Sequence, residues 1–183
     1  CSWSRGLGDV YKRQGDEGVV VAPTGSGKTM AAVLPLLHRC LDEAWEPLAI
    51  LYVTPLRALN RDVDRRLIDL AESVGRRVGL RHGDTSQSER QRQVKRPPHL
   101  LVTTPETLQL MFTGHRLRAL LRTVQAVVVD EVHDLAASER GWQLSVGLSR
   151  LDHLCGRRVQ RIGLSATVGN PTDVAEWLSL IHI

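Results

Sequence analysis

Ala22 to Thr29 reads APTGSGKT, between a short apolar run, Val19 to Ala22, and a segment of helical period, Met30 to Leu41. Gly25 and Gly27 let the backbone turn so tightly that its amides point inward at one anion, and the helix that follows adds its positive end. That anion is a phosphate: Ala22, Pro23, Thr24, Gly25, Ser26 and Gly27 form the cradle, Lys28 reaches the outer phosphates of a nucleoside triphosphate, and the Thr29 hydroxyl is set to ligate Mg2+. An ordinary glycine-rich turn explains neither the Lys-Thr pair nor the strand-then-helix setting. Nucleotide binding follows, but not which enzyme carries it.

The alternation continues outward from this loop. Apolar runs at Ala49 to Val53, Val78 to Arg81, Leu100 to Thr103, Val124 to Val129 and Arg161 to Leu164 are separated by longer segments of helical period. With Val19 to Ala22 they are expected to be strands buried on both faces. The fold class is therefore α/β, a parallel sheet with helices on both faces. Leu56, Leu59, Val63, Leu67 and Leu70 give one helix an apolar face, and Arg61, Asp62, Asp64, Arg65 and Arg66 give it a solvated one. Ser86 followed by Glu89 has capping-box spacing and predicts a helix start. In an open parallel sheet, ligands bind at the carboxyl edge of the strands, and every polar motif of this chain falls at such an edge.

Asp130, Glu131, Val132 and His133 come directly after Val127, Val128 and Val129. Two adjacent carboxylates at the end of a buried strand are costly unless a cation is near. With Mg2+ as that cation, Asp130 holds it directly or through its water shell, and Glu131 orients and polarises an attacking water. Ser165, Ala166 and Thr167 follow the last apolar run; alone they would be only a turn or a cap.

Taken in order, these motifs resemble the DExH-type superfamily 2 helicases across about residues 15–177. TPLRALN at Thr54 to Asn60, GDTSQSER at Gly83 to Arg90, TTPETL at Thr103 to Leu108, DEVHDLAASERG at Asp130 to Gly141 and GLSATVGNP at Gly163 to Pro171 are similar to the large helicase-related (Lhr) family. The resemblance implies a first RecA-like, ATP-binding domain of an ATP-dependent translocase that moves 3′ to 5′ on single-stranded nucleic acid and unwinds DNA or DNA:RNA duplexes. It implies that Ser165 and Thr167 couple hydrolysis to strand movement, through contact with His133. It assigns single-stranded nucleic acid, DNA first, to the motifs around Pro55 and Pro105. Thr54, Pro55, Arg57, Thr104 and Pro105 are the residues expected to meet the strand. Thr104 then Pro105 makes a helix start whose free amides suit a backbone phosphate, Arg57 adds a positive charge, and base readout is not expected. The same resemblance implies a segment before Gly15 that reads the adenine. It also implies a second RecA-like domain after Trp177, whose arginines complete the ATP site. Without that domain, weak nucleotide binding and poor hydrolysis are expected.

Both ends of the chain read as translated sequencing-adapter DNA. Ser4 to Gln14, SRGLGDVYKRQ, back-translates to a transposase-type adapter, and Leu178 to Ile183, LSLIHI, to the inverted terminal repeat of the same adapter. Residues 1–14 and 178–183 are accordingly expected to be artefactual, leaving 15–177 as one domain. The formal charge of +4 then falls to +2, because the first fourteen residues hold Arg5, Lys12 and Arg13 against Asp9. Net charge is thus weak evidence for nucleic acid. Cys40 and Cys155 have no close-spaced partners of the kind metal sites use, and suggest a reduced, cytoplasmic protein. No stretch is apolar and long enough to span a membrane. His38, His82, His99, His115 and His153 have core or surface roles by default, Trp45 is uninformative, and Trp142 is expected to pack after a loop. One alternative is a nucleotide-gated module that clamps nucleic acid without unwinding it; the presence of Glu131 weighs against that.

Overall fold

The computed structural model describes residues 18–23, 25–55, 61–136 and 138–166, with only the backbone described for 61–64. Six strands, β1 (Gly18–Val21), β2 (Ile50–Val53), β3 (Val78–Arg81), β4 (Leu100–Thr103), β5 (Ala126–Val129) and β6 (Gln160–Ser165), form one sheet in the order β1-β6-β5-β2-β4-β3. Every pairing is parallel. Among the described residues the helices are α1 (Lys28–Asp42), α2 (Arg61–Ser73), α3 (Gln87–Lys95), α4 (Pro105–Met111), α5 (His115–Leu121), α6 (Val132–Ala136) and α7 (Glu139–Cys155).

Alternation along the strands divides the core in two. Leu51, Val53, Leu101, Val127 and Val129 face α4 to α7, where Leu108, Met111, Leu121, Leu144, Leu148 and Leu151 meet them. Ile50, Tyr52, Leu100, Val102, Ala126, Val128, Ile162 and Leu164 face the other way, onto Val33, Leu36 and Leu37 of α1 and Leu67 and Ala71 of α2. Strands covered on both faces have no polar side to show, which is why they read as continuous apolar runs.

Four strands, β2, β4, β5 and β6, are buried along their whole length, whereas β1 and β3 are only half-buried. Burial on both faces, expected for all six, fails for these two because they lie at the ends of the described sheet and have one neighbour each. Ala22 and Val124 lie just outside β1 and β5, and Ala49 just before β2. The predicted starts of helices hold: Ser86 caps α3 by accepting from the Glu89 amide at 3.3 Å. The Glu89 carboxylate turns to Gln93 and Arg92 instead of back to the cap, so the box is made on one side only. Leu56, Leu59, Val63, Arg57 and the terminal segments lie outside the described residues or side chains.

Trp142 corrects its expectation. It sits on α7 and is 70% exposed, because α7 turns Leu144, Gly147, Leu148 and Leu151 to the core and Trp142 away from it. Trp45 is buried, with the Arg39 guanidinium 4.9 Å above its ring and its Nε1 donating to Glu43. Cys40 and Cys155 are free thiols, and burial pushes both pKa values up. Among the described residues no helix is long and apolar enough to cross a membrane.

Candidate active site

Parallel pairing brings the carboxyl ends of β1, β6, β5, β2 and β4 into one row, so Ala22, Ser165, Asp130, Thr54 and Thr104 stand along a single edge. Backbone hydrogen bonds stitch that edge: the Ala22 amide donates to Ser165 O, the Asp130 amide to Val53 O and the Thr54 amide to Thr103 O.

The loop after β1 turns through Gly25 and Gly27, at φ 81° and 90°. An L-residue with a β-carbon is strained in that region, which is the reason for glycine at both. Gly27 is also the N-cap of α1; it offers no side-chain cap, and the first turn of α1 carries no acidic residue. The amino end of this fifteen-residue helix therefore keeps its donors and its partial positive charge for an anion. Pro23 accepts from the Ser26 amide, Thr24 lies outside the described residues, and Ser26 is exposed.

Lys28, only 7% exposed, points its Nζ at Glu131 Oε1, 3.2 Å away. The two residues are 103 positions apart in sequence, and this ion pair joins the phosphate loop to the carboxylate pair. Asp130 is buried at the end of β5, and Glu131 turns off the strand at φ 44°. Burial holds the Asp130 carboxyl above the ordinary range, the Tyr52 hydrogen bond pulls it down, and the neighbouring Glu131 charge raises it again. Its Oδ1 accepts the Glu131 amide at 2.9 Å. The other carboxylate oxygen of Glu131, Oε2, is buried with no hydrogen-bond partner among the described residues, and His133 Nδ1 at 3.6 Å is too distant to supply one. A buried carboxylate oxygen without a donor is placed to accept from a bound water.

His133 Nδ1 lies 2.9 Å from Ser165 Oγ, as the resemblance implied, and its Nε2 lies 3.4 Å from Asp134. Motifs far apart in sequence thus converge: Lys28, Glu131, Asp130, His133 and Ser165 lie together at the ends of neighbouring strands. Thr167 lies outside the described residues.

Thr29, Asp130 and Glu131 supply hard oxygen donors, the kind Mg2+ takes, and the unpartnered Glu131 Oε2 and the desolvated Asp130 fit a cation nearby. No cluster of three or more His, Cys, Asp or Glu among the described residues could hold a metal by itself. Mg2+ keeps waters and substrate phosphates in its shell and asks the protein for one or two oxygens.

Sequence reading missed Tyr52. On the same sheet face as Val128 and Asp130, it donates from its hydroxyl to Asp130 Oδ2 at 2.6 Å and stands 3.5 Å from Thr29 Oγ1. Burial first, then the Asp130 charge, pushes its phenol pKa far up, so it stays a donor. A polar-tipped ring inside the run ILYV was the available signal, but its partner depends on the register that sets Tyr52 beside Val128.

At the other end of the row, Thr54 is half-buried and Pro55 buried. Thr104 caps α4 by accepting from the Thr107 amide at 3.3 Å, with Pro105 at the first position, as the sequence predicted. Both are buried, and Glu106 occupies the first turn, bonded to Arg140 Nε at 2.5 Å. Burial works upward on the Glu106 carboxyl, but the bonds from Arg140, its own amide and Thr104 outweigh it and hold the pKa low. The amides expected to be free for a phosphate are therefore partly engaged by the chain itself.

The DEAD/DEAH box helicase profile matches residues 8–174. The chain belongs to the DEAD/DEAH box helicase family. Within that family it is 45% identical over 181 residues to the Lhr helicase/probable uracil glycosylase of Mycolicibacterium smegmatis, covering 91% of this chain and 12% of that protein. It is 43% identical over 186 residues to the ATP-dependent helicase Lhr-Core of Methanothermobacter thermautotrophicus, covering 93% of this chain and 21% of that one. The structure of Mycobacterium smegmatis helicase Lhr bound to ssDNA and AMP-PNP superposes with a TM-score of 0.80 at 43% identity, over 94% of this chain and 23% of that one. The chain thus spans between about an eighth and a quarter of the length of these relatives. Its RecA-like α/β fold is that of this helicase family.

Proposed function

We propose that this chain is the ATP-binding motor half of an ATP-dependent helicase or translocase that acts on single-stranded nucleic acid, DNA first. The observation that carries this reading is the convergence of Lys28, Asp130 and Glu131 beside an uncapped α1 terminus, on the same sheet edge as the Thr54 and Thr104 motifs. The similar Lhr structure bound to ssDNA and AMP-PNP supports both ligands.

On this reading Gly25 to Thr29 bind the triphosphate, and Lys28 exchanges its bond to Glu131 for one to the outer phosphates. Thr29 and Asp130 would hold Mg2+, which would supply charge neutralisation of the phosphates. Release from Lys28 leaves both Glu131 oxygens able to orient a water in line with the terminal phosphate. His133, held by Ser165, lies beside Glu131 and links that event to β6, and Thr167 continues the link. Thr54, Pro55, Arg57, Thr104 and Pro105 meet the strand backbone. Two domains share the work: a second RecA-like domain of the longer parent completes the ATP site, and 3′ to 5′ movement belongs to that whole protein. Residues 15–177 constitute the domain, residues 1–14 and 178–183 being adapter-derived. A cytoplasmic location follows from the substrates.

The test is a titration of the chain with a fluorescent ATP analogue and Mg2+, alongside Lys28→Ala. Removing a charge-assisted contact worth about 2–3 kcal/mol should weaken binding roughly 30- to 150-fold. Equal binding by both proteins would remove Lys28 from the site and the reading with it. In the longer parent, Glu131→Gln should abolish strand-stimulated ATP hydrolysis; a nucleotide-gated clamp would have no turnover to lose.

A further inference from the structure

We infer that Tyr52 is a positioning residue for the Mg2+ site, its hydroxyl holding the Thr29 and Asp130 oxygens in the orientation the ion requires. The inference rests on the proposed ATP site and adds a residue to it.

Tyr52 OH lies between the two proposed ligands, 3.5 Å from Thr29 Oγ1 and 2.6 Å from Asp130 Oδ2. A phenol has one hydrogen, and the short contact to the carboxylate takes it. Thr29 can then only donate toward the phenol oxygen. The chain of donors runs Thr29 to Tyr52 to Asp130, which leaves the Thr29 lone pairs free for a cation. Asp130 is clamped on both sides, Oδ1 by the Glu131 amide and Oδ2 by Tyr52. Its remaining lone pairs keep a fixed direction.

Tyr52 is 1% exposed, packed at Val128 on the face that carries α1. Packing alone would need only a phenylalanine there. A hydroxyl in that place is costly unless bonded, and the bond it makes is to the carboxylate assigned to the ion. Partners one shell out from a metal commonly change its affinity by about 10- to 100-fold when removed.

The experiment uses the 183-residue chain and Tyr52→Phe. A fluorescent ATP analogue is titrated in EDTA, and Mg2+ is then titrated at fixed analogue. Expected are an unchanged affinity in EDTA, a melting temperature lowered by a few degrees through loss of the bond to Asp130, and an apparent Mg2+ affinity about tenfold lower. Val128→Ala, which loosens packing at the same point without touching the hydroxyl, should lower the melting temperature and leave the Mg2+ dependence alone. Equal Mg2+ dependence in wild type and Tyr52→Phe overturns the inference while leaving the ATP site standing. So does an equal loss in EDTA and Mg2+, a Mg2+ shift in Val128→Ala, or a Tyr52→Phe protein that does not fold. Wild-type protein that binds the analogue without responding to Mg2+ overturns the Mg2+ assignment itself, and the inference with it.

Discussion

Acid should destabilise this domain through His99 before its carboxylates titrate in bulk. His99 precedes β4 and is 7% exposed, with Nδ1 accepting the Arg77 amide at 3.3 Å. Burial first, then the Arg76 and Arg77 charges, lowers its pKa from 6.5 to about 4. The sign follows from proton counting: between those values the unfolded chain binds the proton and the folded chain does not. Stability is therefore fully present above pH 6.5 and is lost as pH falls toward 4. At 1.36 kcal/mol per unit, the whole difference is about 3 kcal/mol, and about 2 kcal/mol of it is gone by about pH 5. For a domain of this size, that lowers the melting temperature by about 4–8 °C. The perturbation is His99→Asn, whose side-chain oxygen can take the Arg77 amide but cannot titrate. Urea and thermal melts of both proteins at about pH 7.5 and 5 give the comparison, since acidic groups shared by the two cancel. Wild type should lose about 2 kcal/mol more than the variant over that interval. Equal losses would mean that the folded His99 takes up its proton freely, and the burial reasoning would be wrong.

Other substitutions test the framework of the site. Gly27→Ala meets no steric neighbour but forces alanine to φ 90°, which should cost about 1–2 kcal/mol and weaken binding of an ATP analogue; a fully wild-type titration and melt would refute it. Asp152→Ala removes one partner of Arg161, which is 1% exposed in β6, along with the acceptor for the Val159 amide. Losing this charge-assisted contact and the Val159 acceptor should destabilise by about 1.5–3 kcal/mol, read as a lower urea midpoint, and an unchanged midpoint would refute it.

The sequence by itself determined the class of fold and singled out the residues proposed for the phosphate end. Six apolar runs placed the strands to within two residues; the four covered on both faces must be apolar throughout, and the two end strands are apolar enough to stand out as well. Glycines at 25 and 27, Lys28, and an Asp-Glu pair closing a valine strand are residue types that phosphate and Mg2+ chemistry needs at those spacings, so they were legible one by one. Strand order was not legible, since parallel runs of valine and leucine fit many permutations, and with it went the knowledge that β1 and β3 end the described sheet. Trp142 was misread for a related reason: which side of α7 faces the core depends on where α4 and the sheet lie. Tyr52 is the clearest case. In sequence it is one aromatic in a buried strand. Only the register of β2 against β5 sets its hydroxyl under Asp130 and beside Thr29, because a hydrogen bond across 78 positions exists only once the sheet has assembled.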